Sequence, residues 1–315
     1  MLAATFFDGE GWRDAVLDTT DERPTLRDAW TTPGMPRLDG VLVGGFTDHH
    51  VHLQLVDHED LAASALGRVV DLGADPSAIA ALAAAGGVVV EYAGAFLTPV
   101  GGYPSDRDWA PDGSFREIAD ATDVERAVRE MADAGASCIK VASNSSAGPV
   151  FDDALLGTIV GAAHALGLPV VAHAEGRGEA QRVARLGADL LAHAPFTERL
   201  TDAEIAEQAA SVSWISTLAI HGGADLHVAL DNVRRFHAAG GTVLYGTDMG
   251  NGPTPVGLNP QELAALRDAG VTGVDLLRAL APHDPRESRS RLLLLPGVDA
   301  DPALARPLTR ADLKA

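Results

Sequence analysis

The sequence predicts an α/β protein, a (β/α)8 TIM barrel, on three observations. Short apolar runs recur along the chain, amphipathic stretches with apolar residues three and four apart separate them, and residues able to ligate a metal stand at the ends of several runs. Continuous apolar strands alternating with helices describe a parallel sheet covered on both faces. Eight such units in roughly 210 to 250 residues suit a barrel.

In order, strands are expected at "GVLVGGFTD" (40–48), "GRVVDLG" (67–73), "GVVVEYAG" (87–94), "ASCIKVAS" (136–143), "LPVVAHA" (168–174), "ADLLAHA" (188–194), "SVSWISTLAI" (211–220) and "GTVLYGTD" (241–248). Helices are expected between them, as in "DATDVERAVREMADAGA" and "DDALLGTIVGAAHALG", with glycine where each should stop. A doubly wound open sheet is the rival architecture. It would carry a glycine-rich phosphate loop after its first strand, and "GGFTDHHVH" has no such spacing. The first forty residues, rich in Pro, Thr and Asp, read as irregular, and 95–120 reads as a long loop after the third strand, placed to shape a site.

Composition narrows the partners. A formal net charge of −20 from 44 acidic and 24 basic residues argues against nucleic acid, which a basic stripe would bind. No run approaches the length of a membrane span, and the opening "MLAATFFDGEGWRD" lacks a basic region followed by a long apolar one, so neither a membrane association nor a secretory leader is expected. Cys138 is the single cysteine, which excludes an intrachain disulfide and suits a cytoplasmic location. A small-molecule substrate is the expected partner, and a homo-oligomer is compatible with this composition.

In a barrel, chemistry gathers at the C-terminal ends of the strands. The first strand ends in Asp48-His49-His50-Val51-His52, and a period of two places Asp48, His50 and His52 on one face. The fourth strand carries Lys140, the fifth ends at His173, the sixth at His193 and the eighth at Asp248; the seventh offers Ser216 and Thr217, with His221 just beyond. One such residue after a strand is ordinarily a satisfied polar group or a helix cap. Ligand-type residues at five strand ends, in a chain with 11 histidines, point instead to a metal centre. Imidazole and carboxylate together suit zinc or a similar first-row dication.

Lys140 sharpens this expectation. Of 24 basic residues only Lys140 and Lys314 are lysine, and Lys140 sits in an apolar strand where an ammonium is costly. A neutral amine can add carbon dioxide to form a carbamate whose two oxygens bridge two metal ions; an arginine guanidinium cannot. A side chain snorkelling out of the strand, or an ion pair with Glu91, is the alternative explanation for the lysine.

These residues resemble the amidohydrolase superfamily of metal-dependent hydrolases over about residues 40 to 285. "GFTDHHVHL" is similar to the family's first-strand motif, "CIKVAS" to its fourth-strand lysine, "VVAHAEG" and "LLAHAPF" to its fifth- and sixth-strand histidines, and "LYGTDMG" to its eighth-strand aspartate. The surrounding wording is most like imidazolonepropionase-like and Xaa-Pro-dipeptidase-like members. The resemblance implies two divalent metals, zinc being expected. His50, His52 and Asp248 would hold one, His173 and His193 the other, and carbamylated Lys140 would bridge them. Asp48 would support the histidines. Imidazolonepropionases proper resemble a one-metal arrangement without the lysine, so Lys140 points to two-metal hydrolases. The family also carries a small β-rich domain from both chain ends. Here it is expected in reduced form, as segments 1–39 and 286–315 flanking a barrel at 40–285.

The implied activity is hydrolysis of a carbon–nitrogen amide bond, in a cyclic amide, a dipeptide or an N-acyl amino acid, by a metal-bridging hydroxide. Asp248 would be the catalytic proton carrier. Glu91, Tyr92, Tyr103 and His221 are the expected substrate contacts, with Asn251 in a loop at the mouth. Lactone, ester or phosphotriester hydrolysis on the same site is one alternative; a catalytically inactive barrel kept as a binding module is another.

Overall fold

The computed structural model describes residues 1–21 and 23–314; Glu22 and Ala315, which fall in the two expected terminal segments, lie outside the described residues. The chain opens with β1 (Leu2–Phe7), β2 (Trp12–Asp18), β3 (Thr25–Arg27) and β4 (Arg37–Gly44). The first forty residues are therefore strands, a correction to the irregular segment expected. β1 and β2 pair antiparallel, and Leu2, Ala4, Phe6, Ala15 and Leu17 pack one face of the sheet with Leu42.

After Gly45 the chain runs through β5 (Phe46–Val51), β6 (Leu66–Asp71), α1 (Pro76–Ala84), β7 (Val89–Tyr92), β8 (Phe96–Pro99) and β9 (Phe115–Ile118). It continues with α2 (Ala121–Asp133), β10 (Ile139–Asn144), α3 (Asp153–Ala165), β11 (Val170–Glu175) and α4 (Glu179–Arg185). Next come β12 (Leu190–Leu191), α5 (Asp202–Ala209), β13 (Ser213–Ile215), α6 (Gly223–Ala238), β14 (Val243–Leu244), α7 (Pro260–Asp268) and α8 (Gly273–Ala279). β15 (Leu292–Leu295) and β16 (Arg306–Pro307) return to the N-terminal strands and complete a six-stranded sheet of order β16-β15-β4-β1-β2-β3.

The helices start where local chemistry says they should. Asp75, Asp120, Asp152 and Asn259 cap α1, α2, α3 and α7 by accepting backbone N–H groups of the first turn, and Thr201 and Glu204 form a reciprocal capping box on α5. Asp75 and Asn259 are each followed by proline, whose missing N–H is not needed at that position.

Strands β5-β6-β7 form one parallel sheet and β14-β13-β12-β11-β10-β8-β9 a second. The break between them falls at Gly94, which adopts φ 75° as the chain passes from β7 to β8. Backbone hydrogen bonds join the sheets at both edges. Ser137 N–H donates to the Tyr92 carbonyl at 2.8 Å. On the other side His49 N–H donates to Tyr245 at 3.0 Å and His52 N–H to Met249 at 2.6 Å, and Val51 and Met249 form an isolated parallel bridge.

Two expectations, one strand and one loop, are corrected. "GVLVGGFTD" is divided: Arg37–Gly44 belongs to the terminal sheet, so residue 40 lies inside β4, and the first strand of the parallel layer begins at Phe46. The pair Gly45/Gly67 explains the division, since a Cβ on Gly45 would come within 2.6 Å of the Gly67 Cα; the backbones touch where β4 hands over to β5. The 95–120 segment, expected to be loop throughout, contains β8 and β9. Among the described residues no helix is long and apolar enough to cross a membrane.

Candidate metal centre

β5 brings the first candidate ligands. His50 and His52 are buried, as is Asp48, while the intervening His49 turns to the Tyr245 carbonyl at 3.0 Å. The β5–β6 register shifts between Asp48 and Val51, a bulge of the kind that re-aims side chains beside sites. Each imidazole is oriented through Nδ1. His50 Nδ1 donates to the Ala192 carbonyl at 2.8 Å, and His52 Nδ1 to that of Gly73 at 3.2 Å. Gly73 is in turn held by buried Asp71, whose carboxylate accepts the Gly73 N–H at 3.0 Å and the Leu53 N–H at 2.7 Å. Such carbonyl partners fix the tautomer and leave Nε2 free to ligate.

Those Nε2 atoms converge. They lie 3.3 Å from each other, and each lies 3.2 Å from Asp248 Oδ1. Among the described residues, His50, His52 and Asp248 are the one group of three histidine, cysteine or carboxylate side chains whose ligand atoms all fall within 4.8 Å. Asp248 Oδ1 is buried and accepts no hydrogen bond. Three electron-rich atoms this close repel unless positive charge sits among them. Ligands about 2.0–2.1 Å from a tetrahedral dication stand about 3.3 Å apart, so the donor set and its spacing fit a metal. Burial holds the His50 imidazole well below its ordinary pKa, helped by the Lys140 charge. Burial depresses His52 too, but the Asp248 carboxylate outweighs it and raises the group. Asp248, despite burial, lies well below the carboxylate range because of His50 and His52. Asp248 adopts φ 55°, a left-handed conformation that aspartate tolerates better than most residues.

The remaining predicted ligands adjoin this cluster. His173 and His193 form a T-shaped pair with ring centroids 4.9 Å apart, and His193 stands 4.8 Å from His50. His173 Nε2 meets Glu175 Oε2 at 3.3 Å, which leaves Nδ1; His193 Nδ1 meets Thr217 Oγ1 at 2.9 Å, which leaves Nε2. Burial lowers both imidazoles. Thr217 holds φ 42°, a costly conformation for a β-branched residue, of order 1–3 kcal/mol. Lys140 on β10 is fully buried, lies 5.6 Å from the Phe96 ring centroid and has no carboxylate within ion-pair distance among the described residues. Burial pulls its amine down to about 8, towards the neutral form that carbamylation needs.

All six predicted ligands line one cavity of about 460 Å³. Tyr103 and His221 line it as well; Tyr103 stacks on His173 with centroids 5.1 Å apart. Asn251 donates to Asp248 Oδ2 at 2.7 Å. Asp48 lies behind the ligands, accepting the Thr247 hydroxyl at 2.6 Å and the N–H groups of Thr247 and His50, each at 3.1 Å.

Glu91 and Tyr92 are not in this cavity, a correction to the expected substrate contacts. Adjacent residues of a strand face opposite sides. Tyr92 donates its hydroxyl to the Ala134 carbonyl at the end of α2 at 2.5 Å. Glu91 pairs with Arg68 at 3.2 Å in a separate cavity that also includes His283. A carboxylate in an apolar strand is explained here by an ion pair with the neighbouring strand, and Lys140 is not its partner.

Sequence reasoning passed over Phe96, Trp109, Glu175 and Phe196, which also line the site. Glu175 had a readable signal, two residues after His173 on the same strand face; the aromatic residues had none. His164 pairs with Asp189 at 2.8 Å and stands apart from the site.

No family model matches the sequence, and no curated protein sequence does. Solved structures match its fold. A Xaa-Pro dipeptidase with methionine bound in its active site has a TM-score of 0.69 at 14% identity, covering 98% of this chain and 99% of that one. Aspergillus niger ochratoxinase has a TM-score of 0.71 at 17% identity, covering 97% and 94%. A putative prolidase from Bifidobacterium longum has a TM-score of 0.70 at 19% identity, covering 98% and 94%.

Proposed function

We propose that this chain is a metal-dependent hydrolase of the amidohydrolase superfamily, cleaving a carbon–nitrogen amide bond of a small molecule, and that eight of the ten strands in its two joined parallel sheets, β5–β7 and β10–β14, act as one barrel. The observation that carries the reading is the convergence of His50 Nε2, His52 Nε2 and Asp248 Oδ1 on one buried point beside His173, His193 and Lys140. In this reading His50, His52 and Asp248 would hold one dication, zinc being expected, His173 and His193 would hold a second, and Lys140, once carbamylated, would serve as a ligand to both. When bound, such ions supply a water acidic enough to attack at neutral pH and a Lewis acid for the substrate carbonyl. Dipeptidase and prolidase neighbours support an amide as the bond attacked.

The chain's own groups supply the rest. Asn251 fixes Asp248 Oδ2 at 2.7 Å, and in this reading that carboxylate takes the proton of the attacking water and returns it to the departing nitrogen. Burial raises the Tyr103 phenol, which stays protonated and acts as a donor to a substrate oxygen. Phe96, Trp109 and Phe196 exclude bulk water from the reacting groups.

Metal analysis of the purified protein, combined with an amide-hydrolysis panel, tests the proposal. About two equivalents of dication and measurable turnover are expected, and Lys140→Ala should lose both. A folded protein that takes up no dication, or a Lys140→Ala variant that keeps its metals and full turnover, would overturn it.

A further inference from the structure

A second cavity, of about 900 Å³, opens beside the metal centre and shares Phe196, Ile220, His221, Asn251 and Gly252 with it. The rest of its wall is Ala219, the 253–255 turn and the start of α7 with its cap Asn259, including Pro253, Pro255 and Pro260. Among the described residues, none that lines it is Asp, Glu, Lys or Arg, in a chain that is 22% charged.

The inner cavity offers little to an anion either. Its charged side chains other than histidine are Lys140, Glu175 and Asp248. Lys140 and Asp248 belong to the metal centre, and Glu175 is occupied by His173 at 3.3 Å and Asn144 at 2.8 Å. Among the described residues, no arginine lines either cavity. Arg107, 5.7 Å from the Tyr103 ring centroid, is ion-paired with Asp106 at 3.3 Å. A carboxylate in the outer half, away from the metal centre, would lose its water without meeting a lysine or arginine, and a protein of net charge −20 disfavours anions from a distance. Proline, isoleucine and phenylalanine, by contrast, gain by covering apolar surface. Phe196 and His221, with ring centroids 4.1 Å apart, form the partition between the two halves.

We propose that the two cavities form one bipartite substrate site whose outer half takes an uncharged apolar substituent, an aryl or branched alkyl group. The chain thereby selects neutral amides over dipeptides, N-acyl amino acids and other substrates with a free carboxylate. The word amide rests on the hydrolase reading above; the selection for a neutral apolar group rests on the cavity alone.

The test uses two ketones in which CH2 replaces the amide N–H, so that neither is cleaved: 4-phenylbutan-2-one and 4-(3-oxobutyl)benzoate. Calorimetry on the metal-loaded protein should give at least about tenfold tighter binding of the neutral ketone, about 1.4 kcal/mol. Gln261→Arg, which sets a guanidinium in the outer wall, should narrow that gap by improving the benzoate. Equal or tighter binding of the benzoate by the unaltered protein, or binding of neither ketone, overturns the inference. Turnover of N-benzylacetamide reports separately on the hydrolase reading. A neutral preference without turnover removes that reading and leaves the subsite; turnover without a preference does the reverse.

Discussion

Replacing Glu262 with glutamine should alter how stability depends on pH, by an amount that follows from its surroundings. Glu262 lies on α7 with no exposed surface; its Oε2 accepts the Ala219 N–H at 2.7 Å and its Oε1 has no partner. Burial raises its carboxyl from 4.5 to about 7. Folding therefore favours the protonated acid. That favourable contribution is complete below the unfolded-state value and is lost as pH rises through the folded-state value. Each unit is worth about 1.4 kcal/mol, so some 2–3 kcal/mol is lost between about pH 5 and pH 8. Glutamine keeps an acceptor for Ala219 and supplies a donor in place of the acid proton, without titrating. Urea unfolding of both proteins at pH 5 and pH 8 measures the effect, because groups common to both largely cancel in the difference. Glu262→Gln should gain about 2–3 kcal/mol on the parent at pH 8 relative to pH 5. Profiles that stay parallel within about 0.5 kcal/mol would refute the reasoning, since a carboxyl whose protonation is unchanged by folding adds no such slope.

Three further outcomes are expected. Thr247→Val removes the hydroxyl donated to buried Asp48 at 2.6 Å; unfolding should show a loss of about 1–3 kcal/mol, and chelator competition a metal affinity weakened about 10–100-fold. Gly246→Ala would place a Cβ 2.3 Å from Ile215 Cγ2 and 3.2 Å from His50 Cβ, and overpacking of about 1–3 kcal/mol should appear as a lower Tm. Stripping dications with a chelator should lower the Tm reversibly, because an ion at 100 times its Kd adds about 2.7 kcal/mol to the folded state; a Tm indifferent to metal would count against the centre.

Much of the site was legible from the sequence because its chemistry is carried by scarce residue types at strand ends. His50 and His52 shared a face by strand periodicity, and Lys140 stood out as a lysine in a chain that otherwise uses arginine. Glu91 misled because a carboxylate in an apolar strand looks the same in sequence whether it faces a substrate or, as here, Arg68 at 3.2 Å. Phe96 and Phe196 gave no signal at all: an aromatic residue that walls a cavity is spelled like one that fills a core.

By itself the sequence determined the alternation of strands and helices and the candidate ligand types. These depend on interactions within a few residues, where spacing and side-chain chemistry are read directly. Tertiary structure alone decided that β15 completes the N-terminal sheet by pairing with β4, and that "GVLVGGFTD" divides at Gly45. It also decided that Asp248 Oδ1 lies 3.2 Å from the two imidazoles carried by β5. Each joins residues about 200 or more positions apart, or turns on backbones meeting at a glycine pair. Local periodicity carries no record of which distant segment a strand will meet.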